Sequence, residues 1–184
     1  MPKGEDRGGV FLDLNGTLVL PNLDADPANL HEIPGAAESI ARLNAAGLRT
    51  PVITNQSRIS RGFFTETDFL DWFKEFRASW LGRGAQLEGP YVCPHHSDDK
   101  CDCRKPRTTL YLEAAKYCEI DPHRSFVIGD SVGDIKAGET LGAKTCLVRT
   151  GSGEWTLAHY PNLKPNFIAK NLYEAVNWVV SNLK

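Results

Sequence analysis

The chain carries no long basic block and no marked excess of one charge. Over 184 residues, 21 Lys and Arg stand against 23 Asp and Glu, a formal net charge of −2. That balance argues against nucleic acid as the main partner. No apolar run is long enough to cross a bilayer, and the polar residues 1–9 hold no apolar h-region, so neither a membrane partner nor a secretory signal is expected. Internal repeats and low-complexity tracts are missing too. Cysteine is sparse, five residues in all, and does not form the paired framework of a small secreted protein. What remains is a polar tail over 1–9 and a single domain over 10–184, expected to be monomeric and cytoplasmic.

Against that scarcity, three of the five cysteines fall within positions 93–103. Cys93-x-His95, five residues, then Cys101-x-Cys103 offers three thiolates and one imidazole. That is the donor set of a closed, four-coordinate structural zinc site, with iron the other metal that a thiolate-rich set accepts. A reduced cysteine cluster in a surface loop is the competing reading, but packing cysteines are not spaced through so polar a run. Lys105 follows shortly, so a metal-held loop would deliver a cation to a fixed place. Cys118 and Cys146 lie in apolar-patterned segments and read as small core residues.

Strand and helix signals alternate from end to end. Short apolar runs predict strands over 10–14, 48–54, 89–93, 125–129, 143–149 and 166–169. Helical spacing and capping signals predict helices over 35–46, 65–80, 108–118, 132–141 and 172–183. In the second of these, Phe69, Leu70, Phe73, Phe76 and Trp80 recur at helical spacing and are taken as core. Such alternation predicts an α/β fold, a doubly wound, Rossmann-like parallel sheet covered on both faces. The longest connections, 15–33 and the metal loop, leave no room for a separate cap domain.

In open sheets of this kind ligands bind beyond the carboxyl ends of the strands. Four polar constellations fall there: Asp13-Leu14-Asn15-Gly16-Thr17, Thr54-Asn55-Gln56-Ser57, Arg104-Lys105, and Gly129-Asp130-Ser131-Val132-Gly133-Asp134. Each alone has a plain structural reading, since Asp130 or Asp134 can cap a helix and Thr54 can end a strand. Together they have a chemical logic. A carboxylate can attack phosphorus and become an aspartyl-phosphate. Two anions approach only across a cation, so Mg²⁺ held by carboxylates is expected, with Asp13 and Asp130 the natural pair. A Lys and a Thr hydroxyl can hold the transferring oxygens, and the turn at Gly16 and Thr17 can offer backbone N–H groups.

These four constellations resemble the motifs of the haloacid dehalogenase superfamily of phosphohydrolases. The zinc run with its Cys-Arg-Lys-Pro further resembles the histidinol-phosphatase and heptose-bisphosphate-phosphatase branch. The resemblance implies Asp13 as nucleophile and Mg²⁺ ligand, a backbone carbonyl of Asn15 and the Asp130 side chain as further Mg²⁺ ligands, and Asp134 supporting them. It implies Thr54 and Lys105 as stabilisers of the phosphoryl group. Substrate contacts are implied for Pro21, Asn22, Leu23, Asp24, Asn55, Gln56, Ser57 and Arg104. Zinc would be held by Cys93, His95, Cys101 and Cys103, and would do no chemistry itself.

The chain departs from the pattern at position 15. Phosphatases of this superfamily carry Asp there as general acid and base, and Asn15 exchanges no proton. Three readings stay open: an introduced substitution, a native slow or non-hydrolytic relative, or another proton source. Leu14 and Arg58 stand where the heptose branch has Arg and Gly. The expected activity is Mg²⁺-dependent phosphomonoester hydrolysis of a small phosphorylated metabolite. A heptose 1,7-bisphosphate fits Arg58, Arg61, Arg104 and Arg107 best. Histidinol phosphate, whose ammonium would seek Asp24, Asp26 or Glu32, and a catalytically silent phosphometabolite-binding protein are the alternatives. A zinc-binding interaction module would leave the four strand-end motifs unexplained.

Overall fold

A computed structural model describes residues 7–20 and 26–183. Six strands form one parallel sheet in the order β3-β2-β1-β4-β5-β6: β1 (Val10–Leu12), β2 (Pro51–Asn55), β3 (Glu88–Cys93), β4 (Phe126–Gly129), β5 (Lys144–Val148) and β6 (Phe167–Ala169). The helices are α1 (Ala36–Ala45), α2 (Ser57–Ser60), α3 (Glu66–Leu81), α4 (Thr109–Cys118), α5 (Val132–Leu141), α6 (Gly153–His159) and α7 (Leu172–Ser181). Strand side chains alternate between the two faces. Val10 and Leu12 join Ile40, Phe69, Phe73, Trp80 and Val176 in one core, while Phe11 joins Ile53, Leu110, Tyr111 and Ala137 in the other. Both sheet faces are therefore buried, which is why the strands read as unbroken apolar runs. Cys118 and Cys146 lie in these cores, as expected.

The elements start where local chemistry dictates. Thr65 Oγ1 accepts from Asp68 N at 3.1 Å and Asp68 Oδ2 accepts from Thr65 N at 2.8 Å, the reciprocal cap that opens α3. Phe69, Phe73 and Trp80 of that helix are fully buried and Phe76 packs against them, but Leu70 is 39 % exposed. Leu70 lies one residue round from the inward stripe, so the apolar spacing there overstated the core. Two short helices, α2 and α6, lack the periodicity that would have predicted them. β1 ends at Leu12, two residues early, because the Leu14 carbonyl accepts from Thr17, Leu18 and Val19 N and curls the chain into a tight loop.

The topology places the site. Strand order reverses between β1 and β4, which pair in register Leu12↔Ile128. Asp13 N donates to Ile128 O at 2.9 Å, so Asp13 and the Gly129–Asp130 corner leave the sheet side by side.

Candidate active site

At that corner one ammonium is locked among carboxylates. Lys105 Nζ donates to Asp13 Oδ1 at 2.5 Å, to Asp134 Oδ1 at 2.7 Å and to Ile53 O at 3.0 Å. Asp134 does two jobs: its Oδ2 accepts from Ser131 N at 3.1 Å and Ser131 Oγ at 2.5 Å, capping α5, while Oδ1 faces Lys105. Ser131 is the N-cap of α5, and Asp134 is its reciprocal partner in the capping box. Asp130 points its Oδ2 at Ser152 N, 2.6 Å away, and its own carbonyl accepts from Thr156 Oγ1 at 2.9 Å. Thr17 Oγ1 reaches Asp13 Oδ2 at 3.5 Å.

Thr150, Gly151 and Ser152 were not singled out in the sequence, yet they clamp the corner. Thr150 Oγ1 donates to Gly16 O at 2.5 Å. Gly16 and Gly151, at φ 84° and 58°, approach so closely that a Cβ on either would lie 2.2 Å from Asp130 Oδ2. Only two residues without side chains fit there in that conformation. The loop follows the predicted strand β5, and that was the only available hint.

The second constellation lies at the end of β2. Thr54 is buried, and its Oγ1 accepts from Gln56 Nε2 at 3.0 Å. Asn55 Oδ1 accepts from Lys105 N at 3.2 Å, so this side chain also holds the lysine's backbone. Asn15, Asp26, Asn55, Gln56, Ser57 and Arg58 line a cavity of about 190 Å³. Arg104 does not line that cavity but another of about 250 Å³, with Lys105 and Arg107. Arg104 Nη1 donates to His95 O at 3.1 Å, Arg107 pairs with Asp102 at 2.9 Å and Arg61 sits 2.6 Å from His96 Nε2. Leu14 is sealed in the core. Glu32 is taken up by Trp80 Nε1 at 2.6 Å and by Arg83, and does not line the Asn15 cavity. Pro21, Asn22, Leu23 and Asp24 lie outside the described residues.

The thiolate cluster closes as expected. Cys93 Sγ is 3.6 Å from Cys101 Sγ and 3.8 Å from His95 Nδ1, which is 3.2 Å from Cys103 Sγ. A tetrahedron on metal–ligand bonds of about 2.0–2.3 Å has edges of roughly 3.3–3.8 Å. The donors therefore suit zinc in type and in spacing. The loop is stitched to the site, since Cys93 O accepts from Gln56 N at 2.8 Å and Pro94 O from Ser60 N at 3.1 Å.

Electrostatics point to a second cation. Burial pushes the Asp13 carboxyl up to about 8, with Lys105 pulling it down and Asp134 and Asp130 pushing it up again. Burial and then Asp134 push Asp130 up to about 6. Burial works against the Lys105 ammonium, but Asp13 and Asp134 hold its pKa well above the usual value. Carboxylate oxygens of Asp13, Asp130 and Asp134 all lie within 4.8 Å of one another. With all three carboxyls ionised, one ammonium leaves two negative charges uncompensated. An all-oxygen donor set with that deficit suits a hard divalent ion.

Comparison with known proteins agrees with this geometry. Residues 102–175 match the HAD-hydrolase-like family model. The D-glycero-beta-D-manno-heptose-1,7-bisphosphate 7-phosphatase of Pasteurella multocida is 41% identical over 158 residues, covering 79% of this chain and 83% of its own length. The enzyme of the same name from Escherichia coli O6:H1 is 33% identical over 194 residues, covering 95% and 89%. The D,D-heptose 1,7-bisphosphate phosphatase of B. bronchiseptica, solved with magnesium and phosphate, superposes with a TM-score of 0.86 at 27% identity, covering 95% of this chain and 99% of that one. The Burkholderia thailandensis counterpart gives 0.74 at 29%, covering 96% and 100%.

Proposed function

Since this chain belongs to the D-glycero-beta-D-manno-heptose-1,7-bisphosphate 7-phosphatase family of haloacid-dehalogenase-like hydrolases, we propose that it binds a heptose 1,7-bisphosphate and transfers the 7-phosphoryl group to Asp13. The observation that carries this is the Asp13–Lys105–Asp134 contact beside Asp130 at the strand-order reversal. Asp13, Asp130 and the Asn15 carbonyl would hold Mg²⁺, which neutralises charge between the two anions. Asp13 attacks phosphorus, and Lys105 and the Thr54 hydroxyl steady the oxygens on which charge gathers. Arg104, Asn55, Gln56 and Ser57 would surround the sugar. Cys93, His95, Cys101 and Cys103 would hold zinc and fix the loop that delivers Arg104 and Lys105.

Asn15 sets the rate. It can neither protonate the departing alkoxide nor take a proton from water, and lost acid–base help lowers rates by about 10²–10⁴. The same residue favours a second reading, a phosphometabolite binder with little turnover. Phosphate release from heptose 1,7-bisphosphate with Mg²⁺, in this chain and in Asn15→Asp, separates them. A gain of several hundredfold, about 3–4 kcal/mol of barrier, supports an attenuated phosphatase. No release from either protein, with zinc bound, would remove this substrate.

A further inference from the structure

We propose a further activity for this site: Asn15 makes it a receiver of phosphoryl groups from acyl phosphates, and the phosphoryl group then persists on Asp13. The proposal rests on the reading of Asp13 as nucleophile. It comes from an asymmetry between the two sides of the site. On the attacking side everything is assembled, with Asp13 2.5 Å from Lys105 and within reach of Asp130 and Asp134. On the leaving side, the cavity of about 190 Å³ presents Asn15, Asn55 and Gln56. Amides donate and accept hydrogen bonds but do not transfer protons.

Among the described lining residues there is no His, Cys or Tyr, and Asp26 is the sole carboxylate. Asp26 is exposed, and its Oδ1 is taken up by Ala28 N at 2.8 Å, capping the short turn at Pro27–Asn29.

The leaving group then decides which donors react. A primary alkoxide leaving without a proton resembles hydroxide, whose conjugate acid has a pKa of about 15.7. A carboxylate leaving group has a conjugate acid near about 4. In the acyl phosphate reaction an Asp13 oxygen forms a bond to phosphorus and the bond from phosphorus to the acyl oxygen breaks. The electron pair departs on the carboxylate, which needs no proton. The first half-reaction thus escapes the handicap of Asn15. The second does not: water must lose a proton as it attacks the aspartyl-phosphate, and Asn15 cannot take it. Fast loading and slow clearance make the phosphoenzyme accumulate.

The test uses the full chain with Mg²⁺ and acetyl phosphate, followed by intact mass and peptide mapping. The expected result is one added phosphoryl group per chain, on Asp13 and absent from Asp13→Asn. After the donor is removed it should decay about 10²–10⁴ times more slowly than in Asn15→Asp. No adduct here, while Asn15→Asp hydrolyses heptose 1,7-bisphosphate, overturns the proposal and leaves the family reading intact. No adduct and no hydrolysis in either protein overturns both. Equal lifetimes in the two proteins also overturn it. Asp26→Asn, which keeps a capping oxygen, would then lengthen the lifetime if Asp26 is the base.

Discussion

Lys105 Nζ lies 2.7 Å from Asp134 Oδ1, with the two side chains only 3% and 1% exposed. Asp134 is also the N3 residue of the capping box that opens α5, so one buried ion pair ties the segment after the Cys/His loop to the helix after β4. This makes Lys105 a folding residue as well as the proposed phosphoryl-binding one. Lys105→Met keeps the volume but strands Asp13 and Asp134 without their cation. Removing one partner of such a pair costs about 3–5 kcal/mol. Urea unfolding at neutral pH should show that loss together with loss of phosphoryl transfer. A variant that is inactive yet unchanged in stability would mean the pair contributes to chemistry alone.

The crowded carboxylates give stability a pH dependence of definite sign. Burial raises Asp13 to about 8 and Asp130 to about 6, both above their unfolded values. In that window the folded, metal-free protein binds more protons than the unfolded chain, so its stability falls as pH rises from the unfolded carboxylate range toward pH 8. Mg²⁺ favours the ionised carboxylates and should oppose the fall. The gain in melting temperature on adding Mg²⁺ is therefore expected to be larger at pH 8 than at pH 6. An equal or smaller gain at pH 8 would contradict the placement of the ion against Asp13 and Asp130.

The thiolate loop reaches the site through two hydrogen bonds, Gln56 N donating to Cys93 O and Lys105 N donating to Asn55 Oδ1. Losing the metal should therefore slacken both Thr54's neighbour and Lys105. Cys101→Ser is expected to lower zinc content and to destabilise by several kcal/mol, since binding energy at a structural site is folding energy. In a chain this size each kcal/mol moves the melting temperature by about 2–4 °C. Full zinc occupancy with unchanged melting would remove Cys101 from the ligand set.

Much of this was legible because it is local. The alternation of apolar runs with helical spacing announced the sheet, and four polar groups at strand ends announced the site. The cluster of Cys93, His95, Cys101 and Cys103 was legible from spacing alone, because the chain brings all four donors together within positions 93–103. What was not legible depends on neighbours distant in sequence. Asn55 reads as a substrate contact, and only the fold shows that its Oδ1 also holds Lys105 N, fifty positions on. Leu70 fits an apolar pattern that does not know where the core is. Thr150, Gly151 and Ser152 show no periodicity and matter only because β5 lies beside β4, and β4 beside β1.

Gly151 makes that last point testable. An added Cβ would lie 2.2 Å from Asp130 Oδ2 and 2.5 Å from Gly16 Cα, on a backbone at φ 58°. Gly47, at φ 82° with nothing within 4 Å, shares the backbone problem without the collision. Left-handed backbone alone costs an L residue about 1–2 kcal/mol. Gly47→Ala should therefore lose about that much and keep its Mg²⁺ affinity. Gly151→Ala should lose more and also bind Mg²⁺ more weakly, because Asp130 or the Gly16 turn must move. Calorimetric Mg²⁺ titration of the two variants decides the matter. Equal Mg²⁺ affinity in both would show that the loop after β5 shapes the fold without shaping the metal site.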